Sequence, residues 1–192
     1  MVVNQPDVAI TPAVLEACRR GDRDAFRLVY EVHKDRVYSM ALYFFHGDVA
    51  TASDVTQQVF LRLMDSIGQF NGQSQFSTWL HRFVVNACVD RGRSLRRQGD
   101  SVDHAVLDEV PVPPGHDEAL ERQELARSIQ AALGELSPKI RMAIVLRYFD
   151  DLSYADIAKA LGCSMGTVAS RLSRGHEILA ARLGSLIGKG AR

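Results

Sequence analysis

The chain has 192 residues, 46% of them apolar, with 23 basic and 23 acidic side chains and a formal charge of zero. This excludes a disordered chain, and no apolar run approaches the ~20 residues needed to cross a bilayer. The start, MVVNQPDVAITP, lacks the basic opening and apolar stretch of a secretory leader, so a soluble cytoplasmic protein is expected.

The neutral total hides a pattern. Residues 12–97 hold 12 Lys/Arg against 9 Asp/Glu, a net of +3, and residues 125–192 hold 10 against 5, a net of +5. Residues 98–124 hold one arginine, Arg122, against 8 acids, a net of −7, and Asp7 supplies the remaining −1. Two basic modules around an acidic segment point to nucleic acid.

The elements read as helices almost throughout. Thr11 and Pro12 open a first helix carrying Val14, Leu15 and Cys18, and Gly21 ends it. A longer one repeats Phe26, Val29, Tyr30, His33, Val37, Met40, Ala41 and Phe44 at a period near 3.6, and Gly47 closes it. A third carries Ala52, Val55, Val59, Phe60, Leu63 and Ile67. After the loop Phe70 to Ser74, a fourth has Phe76, Trp79, Leu80, Phe83 and Val84 and ends in a run with Arg91, Arg93, Arg96 and Arg97.

Residues 98–119 change character: prolines, glycines and acids without a helical period mark a flexible linker. The second module, 120–187, starts with Leu125, Ile129, Leu133 and Leu136 on one stripe. Ser137-Pro138 opens a helix with Ile140, Ile144, Val145, Tyr148 and Phe149 on its buried face, and Asp150-Asp151 marks an exposed loop. The expected fold is all-α, two small helical domains joined by an acidic linker, with no sheet.

Ser153 to Glu177 carries the most specific signal. Ser153 caps a helix and Asp156 completes a capping box; Ile157, Ala158 and Leu161 share one face. Gly162 supplies the left-handed turn, and Ser164 caps a second helix with Val168, Leu172 and Leu179 inward. That spacing turns Ser170, Ser173 and Arg174 outward, with Thr167 and Arg171 on the flanks. Hydrogen-bonding side chains and arginines on an exposed helix suit a major-groove reader, so this is a helix-turn-helix.

The first module is less specific. Asp54 to Phe60 is an amphipathic stretch, either a partner-docking face or an ordinary surface helix. The aromatics from Phe70 to Phe83, beside Arg82, are more consistent with core packing than with stacking on unpaired bases. Asn86 can read a base edge or cap a helix, and the arginines after it would neutralise phosphates. Cys18, Cys88 and Cys163 lie far apart, without CxxC or HxxxH spacing, so no disulfide, metal or cofactor is expected. Carboxylates and histidines do not cluster at catalytic spacing, so an enzyme is not expected.

Taken in order, GDRDAF, DVTQQVFLRL, FNGQSQFSTWLHRFVVNACVDRGR and LSPKIRMAIVLRYFDDLSYADIAKALGCSMGTVASRLSRG resemble a bacterial RNA polymerase sigma factor of the extracytoplasmic-function group. The resemblance implies that 12–97 binds the clamp of core polymerase and melts and reads the minus-ten element. It implies that 120–187 grips the flap and reads the minus-thirty-five element, the acidic linker threading the RNA channel between them.

By that resemblance, Asp54, Gln57, Gln58 and Phe60 fall in the clamp-docking helix, and Asn86 in the loop that captures a flipped base. Arg82, Arg91, Arg93, Arg96 and Arg97 fall in minus-ten contact. Ser164, Thr167, Ser170, Arg171, Ser173 and Arg174 fall in minus-thirty-five contact. An anti-sigma protein is an implied partner. Gln58 stands where relatives usually carry glutamate. Ala169, Gly175 and His176 replace the usual basic residue, alanine and arginine, so this recognition helix is less basic than is typical. A free-standing helix-turn-helix regulator, an enzyme and a pure protein-interaction module are the rival readings.

Overall fold

A computed structural model describes residues 10–98 and 117–187. They form eight α-helices and no strand. The linker expected at 98–119 has its residues 99–116 outside the described ones, and helix begins at Asp117, slightly earlier than expected.

The first four helices are α1 (Pro12–Arg19), α2 (Arg23–Phe44), α3 (Val49–Ser66) and α4 (Phe76–Gln98), with a 3-10 turn over Ile67–Gln69. Short polar side chains fix their starts. Thr11 accepts from the Val14 amide, Asp22 from the Asp24 and Ala25 amides at 2.9 and 3.1 Å, and Asp48 from the Thr51 amide at 2.9 Å. Each cap satisfies donors that have no partner within the helix, typically for about 1 kcal/mol. Gly21 and Gly47 take φ of +82° and +88°, which lets the chain reverse between neighbouring helices.

The remaining helices are α5 (Asp117–Glu135), α6 (Pro138–Tyr148), α7 (Tyr154–Leu161) and α8 (Met165–Ile187). Pro138 stands at the start of α6, where its missing N–H costs nothing. Val37, Met40 and Phe44 of α2, Val59 and Leu63 of α3, and Val84 and Cys88 of α4 close one half of the core. Met142, Val145, Leu146, Ile157, Val168 and Leu172 close the other.

Those halves are not separate. One apolar cluster runs from Leu15 to Leu172, because α7 lies against α4 and α6 against α2. Several expectations at this seam are corrected. Asp150 is buried and not on an exposed loop, since Arg36 of α2 and His81 of α4 both contact its carboxylate. Tyr148 is exposed, bonding His176 at 2.6 Å, and Phe149 leaves its own lobe to stack on Tyr43, ring centroids 3.7 Å apart. Leu125 is exposed as well, because the α5 stripe is covered only from Ile129 onward.

Arg141 ties the seam from the other side. It is buried, and its guanidinium donates to the carbonyls of Leu133, Gly134 and Leu136 at the end of α5 and to that of Phe44 at the end of α2. Burial, then the charge of Arg96, lowers its pKa to about 10, which leaves it charged at neutral pH.

Candidate nucleic-acid interface

The helix-turn-helix forms as its residues dictate. Ser153 accepts from the Asp156 amide at 3.1 Å and its hydroxyl donates to the Asp156 carboxylate at 2.6 Å. Gly162 closes α7 in the left-handed region, φ +60° and ψ +42°. Ser164 then accepts from the Thr167 amide at 3.2 Å to open α8. Ile157, Val168 and Leu172 are fully buried and fix the angle between the two helices.

This packing leaves Ser164, Ser170, Ser173 and Arg174 exposed, with Thr167 and Arg171 half-buried on the flanks. All four hydroxyls are already engaged: Ser164 and Thr167 bond each other at 2.9 Å, Ser170 donates to the Thr167 carbonyl at 3.0 Å and Ser173 to Glu177 at 3.3 Å. Arg171 leans on Cys163, 3.7 Å from its sulfur. Arg174 is exposed where Arg171 is half-buried. Gly175 is buried, which spacing alone does not reveal, and it lets α8 meet Ile140 and Ile144 of α6 closely.

The second basic surface lies on α4. Nothing between Phe76 and Gln98 breaks the helix, so it runs through the arginine run in a single piece of 23 residues. Asn86 is therefore exposed at mid-helix, neither a cap nor on a loop, which corrects both expectations for it. At 100° per residue, Arg82, Asn86, Arg93 and Arg97 fall within ~60° of one another and mark an exposed stripe ~22 Å long. Arg96 is exposed beside the stripe. Arg91 lies on the opposite side, half-buried, its Nε without a hydrogen-bond partner among the described residues.

The loop before α4 is braced. Arg19 donates to the Phe70 carbonyl, and Asn71 accepts from the Gln73 amide at 3.1 Å around Gly72 at φ +73°. The aromatics pack on each other: Phe70 on Trp79 at 5.2 Å, Phe70 on Phe76 at 5.6 Å and Trp79 on Phe83 at 4.7 Å. Phe70 and Phe76 are buried, in keeping with core packing.

A third surface lies across α2 and α3. Asp54, Gln57 and Gln58 are exposed on α3, and beside them runs a groove of about 510 Å³. Phe60 does not protrude as a docking side chain would. It is buried, edge-on to Tyr30 at 4.8 Å, and forms part of the groove wall, with Leu61 and Met64 exposed at its margin. Among the described residues no His/Cys/Asp/Glu group is placed to hold a metal, and no helix is long and apolar enough to cross a membrane.

A helix-turn-helix on one helical lobe and an arginine stripe on the other define a bipartite, all-helical DNA-binding protein. The family profile for sigma-70 region 2 matches residues 29–98 and that for sigma-70 region 4 matches residues 126–178. The ECF RNA polymerase sigma factor SigW of Bacillus subtilis is 31% identical over 183 residues, covering 90% of this chain and 96% of that protein. The ECF RNA polymerase sigma-E factor of Escherichia coli is 32% identical over 188 residues, covering 91% and 94%.

Two solved structures are also similar. CnrH, in complex with the cytosolic domain of CnrY, shares the fold at TM-score 0.66 and 24% identity, over 90% of this chain and 96% of that one. The sigma factor RpoE, in complex with the anti-sigma factor NepR from Bartonella quintana, gives TM-score 0.63 and 26% identity over 83% and 96%. The chain belongs to the extracytoplasmic-function sigma factors and is an alternative sigma factor that directs transcription initiation. Likeness along both lobes leaves the free-standing regulator unsupported.

Proposed function

We propose that residues 12–97 are the lobe that docks on the clamp of core RNA polymerase and opens and reads the minus-ten element. Residues 120–187 grip the flap and read the minus-thirty-five element. Asp54, Gln57 and Gln58, with the groove walled by Phe60, supply the clamp surface. Arg82, Arg93, Arg96 and Arg97 hold phosphates, Asn86 offers an amide to an unstacked base, and Ser170, Ser173 and Arg174 enter the major groove.

The observation that carries this reading is the single exposed stripe on α4, which sets an amide among arginines along ~22 Å. Phosphate contacts alone would bind any sequence; an amide among them adds a donor and an acceptor that distinguish bases. The protein acts by binding and not by turnover, in the cytoplasm where its polymerase is. An anti-sigma protein is its proposed regulator, supported by the RpoE–NepR pairing of a similar structure.

Run-off transcription with purified core polymerase tests the whole. The chain should confer promoter-dependent initiation, and Asn86→Ala should lower promoter opening by roughly tenfold, the 1–3 kcal/mol of one base contact, with little change in core binding. Equal loss of both would refute the role given to Asn86.

A further inference from the structure

We propose that Asp90 of α4 reads a base, its carboxylate accepting from the exocyclic amine of a cytosine in the minus-ten region, and that Arg62 of α3 holds it in place to do so. The inference rests on the functional reading of α4 above and adds the base chemistry of a second position.

Asp90 interrupts the arginine stripe. Around the helix axis it stands ~40° from Asn86 and ~20° from Arg97, and along the axis it lies ~6 Å beyond Asn86. The order on this face is therefore Arg82, Asn86, Asp90, Arg93, Arg97. The Asp90 side chain is 54% exposed, so it meets whatever the stripe meets. On a surface that grips phosphates, a carboxylate repels what its neighbours attract.

Among the described residues, one group engages this carboxylate: Arg62 Nη1, 3.5 Å from Oδ2. Arg62 crosses from α3 to reach it, although Asp65 stands three residues along its own helix, and Gln58, one turn before, is uncharged. Stability does not account for the pairing. Arg62 is itself 41% exposed, and an ion pair open to water on both sides contributes little. What the pair does is restrain Asp90 and offset its charge. Oδ1 is left with no hydrogen-bond partner among the described residues.

The chemistry of base edges selects the ligand. An ionised carboxylate only accepts, so it needs a donor and rejects acceptors. In the major groove cytosine presents its N4 amine, whereas thymine presents O4 and guanine N7 and O6. Adenine sets its N6 amine beside the N7 acceptor. Phosphate, which carries only acceptors, is rejected as well. Cytosine is the base that Asp90 fits. Successive bases rise ~3.4 Å, so Asn86 and Asp90 address positions within two of each other while the flanking arginines take phosphates.

The test is run-off transcription with core polymerase on promoters carrying each of the four bases at each minus-ten position, with Asn86→Ala marking the position that Asn86 reads. Wild type should prefer cytosine at a site within two of that mark, by roughly fivefold or more. Asp90→Ala should lose this preference yet bind random-sequence duplex more tightly, since a repulsion has gone. Asp90→Asn should shift the preference towards adenine, whose N6 and N7 suit an amide. Arg62→Ala should weaken the same preference and no other, and Arg62→Lys should keep most of it. Melting points should move little in all four.

A wild type indifferent to cytosine there, or an Asp90→Ala that weakens every promoter alike, would overturn the reading of Asp90. An Arg62→Ala with unchanged preference, or with every position relaxed, would overturn the part given to Arg62. If Asp90→Ala fails to fold, Asp90→Asn, of the same shape, decides by whether the preference moves. Should no form initiate, the sigma-factor roles assigned above fall. Anisotropy titrations of the full chain with the same duplexes then decide, and equal affinity for all four bases would end the case for Asp90.

Discussion

A Cβ placed on Gly175 would stand 2.9 Å from both Cγ1 and Cδ1 of Ile144 and 3.1 Å from Cγ2 of Ile140. Helix propensity alone would favour alanine there by about 1 kcal/mol, whereas forcing a methyl into a packed contact costs about 1–3 kcal/mol. The contact wins: Gly175→Ala should lower stability by about 1 kcal/mol in urea melts. Ile144→Val, which removes the Cδ1 methyl and leaves Cγ1, should recover part of the loss when the two are combined. A rise in the melting point of Gly175→Ala alone would show that Ile144 yields freely. The same arithmetic explains why a glycine stands in a helix otherwise built for reading DNA: it follows the bulk of its neighbours on α6.

At the scale of the element, α4 separates arginines that look equivalent in a string of letters. Each phosphate contact contributes about one unit to the slope of log affinity against log salt. Arg93→Ala and Arg97→Ala should each reduce that slope by about 1 in promoter-binding titrations, and Arg91→Ala, on the opposite side, should leave it nearly unchanged. A full unit lost with Arg91 would mean that DNA approaches another face. Helix starts and stops were legible because caps and glycines act within a few residues: Thr11, Ser153, Gly162 and Ser164 behave as their chemistry predicts. The outward turn of Ser170, Ser173 and Arg174 followed from Val168 and Leu172 for the same reason. What periodicity missed lies between elements distant in sequence. Asp150 reads as a loop residue until α2 and α4 bring Arg36 and His81 to it. Phe60 lies on the apolar period of α3 and is buried against Tyr30 as that period suggests, whereas Asn86 reads as a boundary because nothing local says that α4 continues.

For the whole molecule, the seam between lobes makes a distinct pH signature. His81 and Arg36 hold the Asp150 carboxyl below its ordinary value despite burial. Its stabilisation is therefore fully present above the unfolded-chain value of about 3.9 and is lost as pH falls through the lower folded value. The stability difference between wild type and Asp150→Asn should shrink as pH falls below about 4. A difference that disappeared near neutrality would mean that some other group governs the seam. The guanidinium of Arg141 has a further consequence for anyone building hybrids. It accepts nothing and gives its protons to three carbonyls at the end of α5 and one at the end of α2. A chimaera that grafts α5–α8 onto a relative's α1–α4 would inherit this cation with an acceptor displaced wherever the foreign α2 ends a residue early or late. Such a fusion should express as two folded halves that sit loosely, and the length of α2, more than the choice of junction, should decide whether they reunite.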